Sequence, residues 1–216
     1  VADMPETDIP DGDVTAAHSE QPAAATPIAW SEGTWSAPPA SAVETGADLV
    51  VTAVEGSDAW RRTAYGFVHD DAHGLLAPLA VGEAMEVSFR ARWEGQFDQA
   101  GILVRADEER WMKTGVEYAD GHLGLGAVVT DTVSDWSVGF ADEWADAVIT
   151  VRVSRWPDAL IVRARADDGD WRLVRVAPFD GSAAASAGPF LAAPTWAGLE
   201  VTFSRWVRTD ADAALH

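Results

Sequence analysis

The chain has 216 residues, no cysteine, and 15 basic against 35 acidic side chains, a formal charge of −20. The lack of cysteine excludes disulfides, thiolate metal sites and thiol nucleophiles together. So negative a field, with no basic stripe to offset it, argues against nucleic acid and anionic membranes as partners, and no apolar run approaches the roughly 20 residues of a membrane helix.

With 48 % hydrophobic residues, the chain can build one sizeable core, and all-β sandwiches of about this length commonly form a single domain. Residues 1–27 stand apart. They carry Asp3, Glu6, Asp8, Asp11, Asp13 and Glu20 with no lysine or arginine and no Phe, Trp or Tyr, a composition that predicts a flexible acidic arm. The arm lacks the basic-then-apolar order of a secretory leader, so a cytoplasmic location is expected. One domain is expected over 28–208, followed by a short tail over 209–216.

Within that domain the runs 47–54, 84–93, 100–106, 111–118, 122–130, 147–156, 159–166, 171–177 and 199–206 are short and rich in Val, Ile, Leu and Trp. Several alternate apolar with polar residues, as half-buried strands do, and turn signals such as Ala119-Asp120-Gly121 and Asp167-Asp168-Gly169-Asp170 separate them. The best helical stretch, 107–112, is only a short connection. Many close-spaced strands with hairpin turns predict an antiparallel all-β sandwich or barrel.

The segment 98–118 is the most informative. With its turn at 106–110, Arg105 faces Trp111, Leu103 faces Lys113, Gly101 faces Gly115 and Gln99 faces Glu117, all on one surface. Ala100, Ile102, Val104, Met112, Thr114 and Val116 then form the core side. Two opposed glycines weaken a sheet unless the space is needed. The polar surface therefore suits a ring-shaped ligand such as a sugar, with Gln99, Lys113 and Glu117 bonding hydroxyls and Trp111 packing on the ring. The glycines are equally explained by a bulky neighbour or a bulge. Arg61, Thr63 and Tyr65 alternate onto a shared face, either as ligand contacts or as a tie between a loop and the sandwich edge. Asp135 and Trp136, placed in a loop, match a sugar-binding acid–tryptophan pair or an anchored turn.

No catalytic residues are assigned. Hydrolysis of a glycoside needs two carboxylates about 5–5.5 Å apart for retention or about 6.5–9.5 Å for inversion. No strand carries Glu-x-Asp-x-x-Glu. Glu117 could pair across strands with Asp98 or Asp135, but a nearby Lys113 is expected to hold it ionised. Phosphate loops, dinucleotide fingerprints and metalloprotease motifs are missing, so no cofactor is expected. The cluster His69, Asp70, Asp71 and His73 lacks a further metal ligand, and no metal site is assigned.

The order Trp60-Arg61-x-Thr63-x-Tyr65-Gly66-Phe67, Asp71-x-His73, Phe97-Asp98-Gln99-Ala100-Gly101-Ile102-Leu103-Val104-Arg105, Trp111-Met112-Lys113-Thr114-Gly115-Val116-Glu117-Tyr118, Val128-Val129-Thr130 and Ser134-Asp135-Trp136-Ser137 resembles a domain-of-unknown-function family that includes the fungal regulation of enolase protein. Ala59 replaces the family's usual aromatic, and Ala72-His73-Gly74 its Gly-His-Phe. The resemblance implies a concanavalin A-like jelly roll of two antiparallel sheets, whose concave face is the usual ligand surface. A non-catalytic module for a carbohydrate or other small polar ligand is therefore expected, with a protein-interaction or regulatory domain as the first alternative and a hydrolase as the second. The sequence does not set the oligomeric state.

Overall fold

A computed structural model describes residues 25–215, so the arm expected over 1–27 lies almost wholly outside the described residues. Seventeen strands are present among them. In chain order they are β1 Thr26–Pro27, β2 Thr34–Trp35, β3 Ser41–Thr45, β4 Asp48–Thr52, β5 Ala59–Arg61 and β6 Val68–Asp70. There follow β7 His73–Pro78, β8 Glu83–Ala91, β9 Asp98–Arg105, β10 Arg110–Ala119, β11 His122–Asp131 and β12 Val133–Phe140. The chain closes with β13 Ile149–Arg155, β14 Ala159–Ala166, β15 Arg172–Pro178, β16 Ser186–Ala192 and β17 Glu200–Asp210. The only helical pieces among the described residues are two three-residue 3-10 turns, Trp30–Glu32 and Asp142–Trp144.

Two antiparallel sheets pack face to face as a concanavalin A-like jelly roll. One runs β15-β14-β13-β8-β17-β4-β3, with β1 added to β17, and the other runs β12-β11-β10-β9-β16-β7-β2. Their inward faces come from the period-two alternation of the strands. Met85, Val87 and Phe89 of β8 meet Ile102 and Val104 of β9 and Met112 of β10, all fully buried in one cluster. Each such side chain contributes about 1.5–3 kcal/mol by leaving water. The β9–β10 register is the one the alternation predicts, with Gln99 opposite Glu117, Gly101 opposite Gly115, Leu103 opposite Lys113 and Arg105 opposite Trp111.

Elsewhere the structure departs from expectation. Ser134–Ser137 lies within strand β12 rather than a loop. β16 was hidden by Gly188 and Pro189, whose ladder to β7 is broken between Ala187 and Phe190, where a proline has no N–H to give. At the N-terminal boundary, Thr26 and Pro27 already pair with Arg208 and Val207. The segment 209–216 is not a tail as far as Leu215. β17 runs to Asp210, and Asp212 takes Arg152 at 2.8 Å and Arg163 at 2.9 Å. The Leu215 carbonyl accepts a further bond from Arg163.

Candidate functional site: an aromatic-walled cleft over the seven-stranded sheet

The outer face of the seven-stranded sheet, away from the core, would ordinarily be solvated. Here its middle carries Leu103, Trp111, Val128 and Phe190, and the β5–β6 hairpin lays Trp60 on them to make a second, smaller core. The hairpin is tied down by Arg61, whose guanidinium meets Glu109 at 2.5 Å and the Thr132 carbonyl, and whose N–H donates to Ser134 Oγ. Beside the hairpin a cleft of about 280 Å³ remains, lined by Asp58, Trp60, Tyr65, Phe67, His69 and Phe97, by Gln99, Lys113, Glu117, Val128 and Trp136, and by Gly56, Pro194 and Thr195.

Its polar floor is built from adjacent strands. Gln99 of β9 and Glu117 of β10 face each other, and Lys113 sits four residues before Glu117 on the same side. Between them Gly101, Gly115 and Gly126 form a row across three strands. A Cβ at Gly101 would lie 2.0 Å from the Thr114 carbonyl oxygen, and one at Gly126 would lie 2.1 Å from that of Ser137. Close backbone approach therefore requires glycine here, and the same bare stretch leaves a shallow hollow that continues the cleft.

Asp58, in the loop before β5, joins the floor to the hairpin. Its Oδ1 accepts from Lys113 Nζ at 2.6 Å, Gln99 Nε2 at 3.2 Å and the Ala59 N–H at 2.7 Å. Lys113 and Asp58 are a buried ion pair, their side chains 5 % and 17 % exposed. Glu117 has no hydrogen-bond partner among the described residues. Burial pushes its carboxyl up to about 7, with the Lys113 ammonium pulling it down and the Asp58 carboxylate pushing it further up. The expectation that Lys113 would hold Glu117 ionised is thus corrected: Asp58 claims the ammonium, and desolvation wins. At neutral pH Glu117 can both donate and accept.

The wall is aromatic. Tyr65 stacks on Phe67 with ring centroids 5.4 Å apart, meets Trp60 edge-on at 5.6 Å, and Phe67 meets His69 edge-on at 5.0 Å. Tyr65 and Phe67 remain 58 % and 43 % exposed, and Trp136 of β12 is 41 % exposed.

Of the residues expected at a site, the structure brings Tyr65, Gln99, Lys113, Glu117 and Trp136 together. The other five stand elsewhere. Trp111 lies fully buried beneath Trp60 and cannot offer its face to a ligand. Arg61 is the hairpin's tie, and the Thr63 carbonyl accepts from Trp60 Nε1. Asp98 is fully buried on the opposite side of β9, accepting from Trp196 Nε1 at 2.7 Å and from the Glu94 and Gly95 N–H groups. Asp135 alternates away from Trp136 and pairs with Arg175 of β15 at 3.1 Å.

Sequence reasoning missed Asp58, Trp60, Phe67 and His69. Phe67 and His69 continue the odd-numbered alternation of Arg61, Thr63 and Tyr65, a signal that could have found them, whereas Asp58 is declared only by the tertiary contact. The cluster of residues 69–73 is dispersed into separate roles. Asp70 pairs with Arg105 through two bonds, and Asp71 accepts from the Asp58 N–H. His73 is buried, its Nε2 accepting from the Val54 N–H and its Nδ1 on the Ala37 carbonyl.

Residues 35–211 match the family model described as "Protein of unknown function (DUF1349)". The chain belongs to this family. In the DUF1349 family, Regulation of enolase protein 1 of Saccharomyces cerevisiae is 36 % identical over 180 residues, 83 % of this chain and 90 % of that protein. The crystal structure of a functionally unknown protein from Saccharomyces cerevisiae superposes with a TM-score of 0.81 at 35 % identity, over 86 % of this chain and all of that one. The xylan β-1,4-xylosidase of Bacillus halodurans C-125 is similar with a TM-score of 0.64 at 12 % identity, over 93 % of this chain but 41 % of the enzyme. At that identity the similarity is one of fold alone.

Proposed function

We propose that the protein is a non-catalytic binding module whose cleft takes a carbohydrate or a similar small polar ring. The observation that carries this reading is the meeting, in one cleft, of the Trp60–Tyr65–Phe67 wall and Trp136 with a floor that keeps hydrogen-bonding capacity in reserve. Sugar hydroxyls donate and accept at once, and their ring faces pack on aromatic surfaces. The floor matches both demands, because Glu117 is unpartnered and Lys113 and Gln99 each have N–H groups beyond those given to Asp58. The test is a thermal-shift screen against monosaccharides and oligosaccharides. A ligand at 100 times its Kd adds about 2.7 kcal/mol, a shift of several degrees in a domain of this size. The shift should vanish in Glu117→Ala while the domain stays folded. No shift with any sugar would refute the reading.

A second reading, a protein-interaction domain, is favoured by one observation. β12 and β15, the edge strands of the two sheets, are bridged by Arg175 to Asp135 and Ser137 and expose apolar side chains, Val133, Val138 and Phe140 on β12 and Leu173 and Val176 on β15. Exposed apolar patches on edge strands mark interaction sites. The name of the yeast relative speaks of regulating enolase, which is the kind of role this reading would give the chain. Sedimentation showing a monodisperse monomer, with no partner retained on an immobilised sample, would count against it.

A further inference from the structure

The charges in the cleft say which rings it can hold. Lys113 is the only lysine of the sequence, and its ammonium is already neutralised by Asp58 at 2.6 Å. Among the described residues no arginine lines the cleft, and Glu117 faces it with no cation of its own. The floor therefore sums to zero when Glu117 is protonated and to −1 when it is ionised, within a chain of charge −20. Carboxylates and phosphates are recognised by guanidinium forks, free ammonium groups or rows of backbone N–H at helix N-termini. None of these lines the cleft. Its volume of about 280 Å³ falls just below the roughly 300–1,000 Å³ of pockets for drug-sized ligands, which suits one ring rather than a run of linked rings.

We propose that the cleft admits a single uncharged sugar ring and rejects the acidic counterparts of that ring, uronates and sugar phosphates. This rests on the binding-module reading and sharpens it to a ligand class. The discriminating group is Glu117, because Asp58 is already paired and Glu117 is the charge a ligand must approach.

The test is isothermal titration at pH 8 and low salt with matched pairs, glucose against glucuronate and glucose 6-phosphate, and galactose against galacturonate. The neutral member of at least one pair should bind, and its acidic counterpart should bind at least tenfold more weakly. In Glu117→Gln, which keeps the shape and the hydrogen-bonding capacity, the gap should narrow severalfold. Neutral and acidic sugars binding alike would overturn the charge selection and leave the binding-module reading standing. An unchanged gap in Glu117→Gln would overturn the assignment to Glu117. Failure of every sugar, neutral or acidic, would overturn both.

Discussion

Glu117 is a carboxyl whose ionisation the fold opposes, and replacing it should make the protein more stable, but only above a certain pH. The unfolded chain ionises Glu117 near its ordinary 4.5 and the folded chain near about 7. Between those values the native state holds a proton the unfolded state has lost, so this group's contribution falls as pH rises and reaches its full cost above pH 7. The separation corresponds to about 3 kcal/mol at about 1.4 kcal/mol per tenfold change in proton affinity, an upper value because the carboxyl borders an open cleft. Glu117→Gln resembles the protonated acid in shape and polarity. At pH 4.5 and below it should match the parent, and at pH 8 it should be more stable by up to about 3 kcal/mol, roughly 6–12 °C in Tm for a domain of this size. The assay is calorimetry of both proteins from pH 4 to 8. The buried His73, whose imidazole burial pushes down against the raising effects of the Ala37 carbonyl and Asp71, titrates in both proteins and cancels in the difference. A difference independent of pH, or a loss of stability in Glu117→Gln at pH 8, would refute the reasoning.

Other perturbations follow from the same packing. Lys113→Met, which strands the half-buried Asp58 carboxylate, should cost about 3–5 kcal/mol in urea denaturation, and adding Asp58→Asn should recover most of it. Gly101→Ala places a methyl 2.0 Å from the Thr114 carbonyl oxygen and should abolish cooperative unfolding. Gly46→Ala, with open space around it but a φ of +66°, should cost only about 1–2 kcal/mol. Truncation after Asp210 removes Asp212 from two largely buried arginines and should cost about 3–5 kcal/mol, whereas a free tail would cost nothing. Trp136→Ala should weaken any sugar found by about tenfold on titration, while Trp111→Phe should leave its affinity unchanged.

The fold was largely legible because alternation is a local property. Each long apolar run became a strand, and the β9–β10 register followed from one turn. What stayed hidden was decided by distant contacts. Trp111 reads as a ligand platform from its own strand, and only the hairpin that covers it, some fifty residues earlier, makes it core. Asp98 and Gln99 are neighbours in sequence, yet alternation puts one under a tryptophan and the other in the cleft. The raised carboxyl of Glu117 came first from its burial, which outweighs the lysine four residues away on the same strand, and then from the loop aspartate Asp58, which that lysine pairs with; neither is visible from the strand alone. Strands β12 and β16 were obscured by polar residues at an edge and by a proline in a broken ladder.

The central claim, that this cleft is a sugar-ring site, is met most directly by a crystal structure of the protein soaked in concentrated neutral monosaccharide. The account predicts a ring packed on Tyr65, Phe67 or Trp136 with hydroxyls within hydrogen-bond distance of Glu117 and Lys113. An empty cleft, or a sugar bound only elsewhere on the molecule, would contradict it.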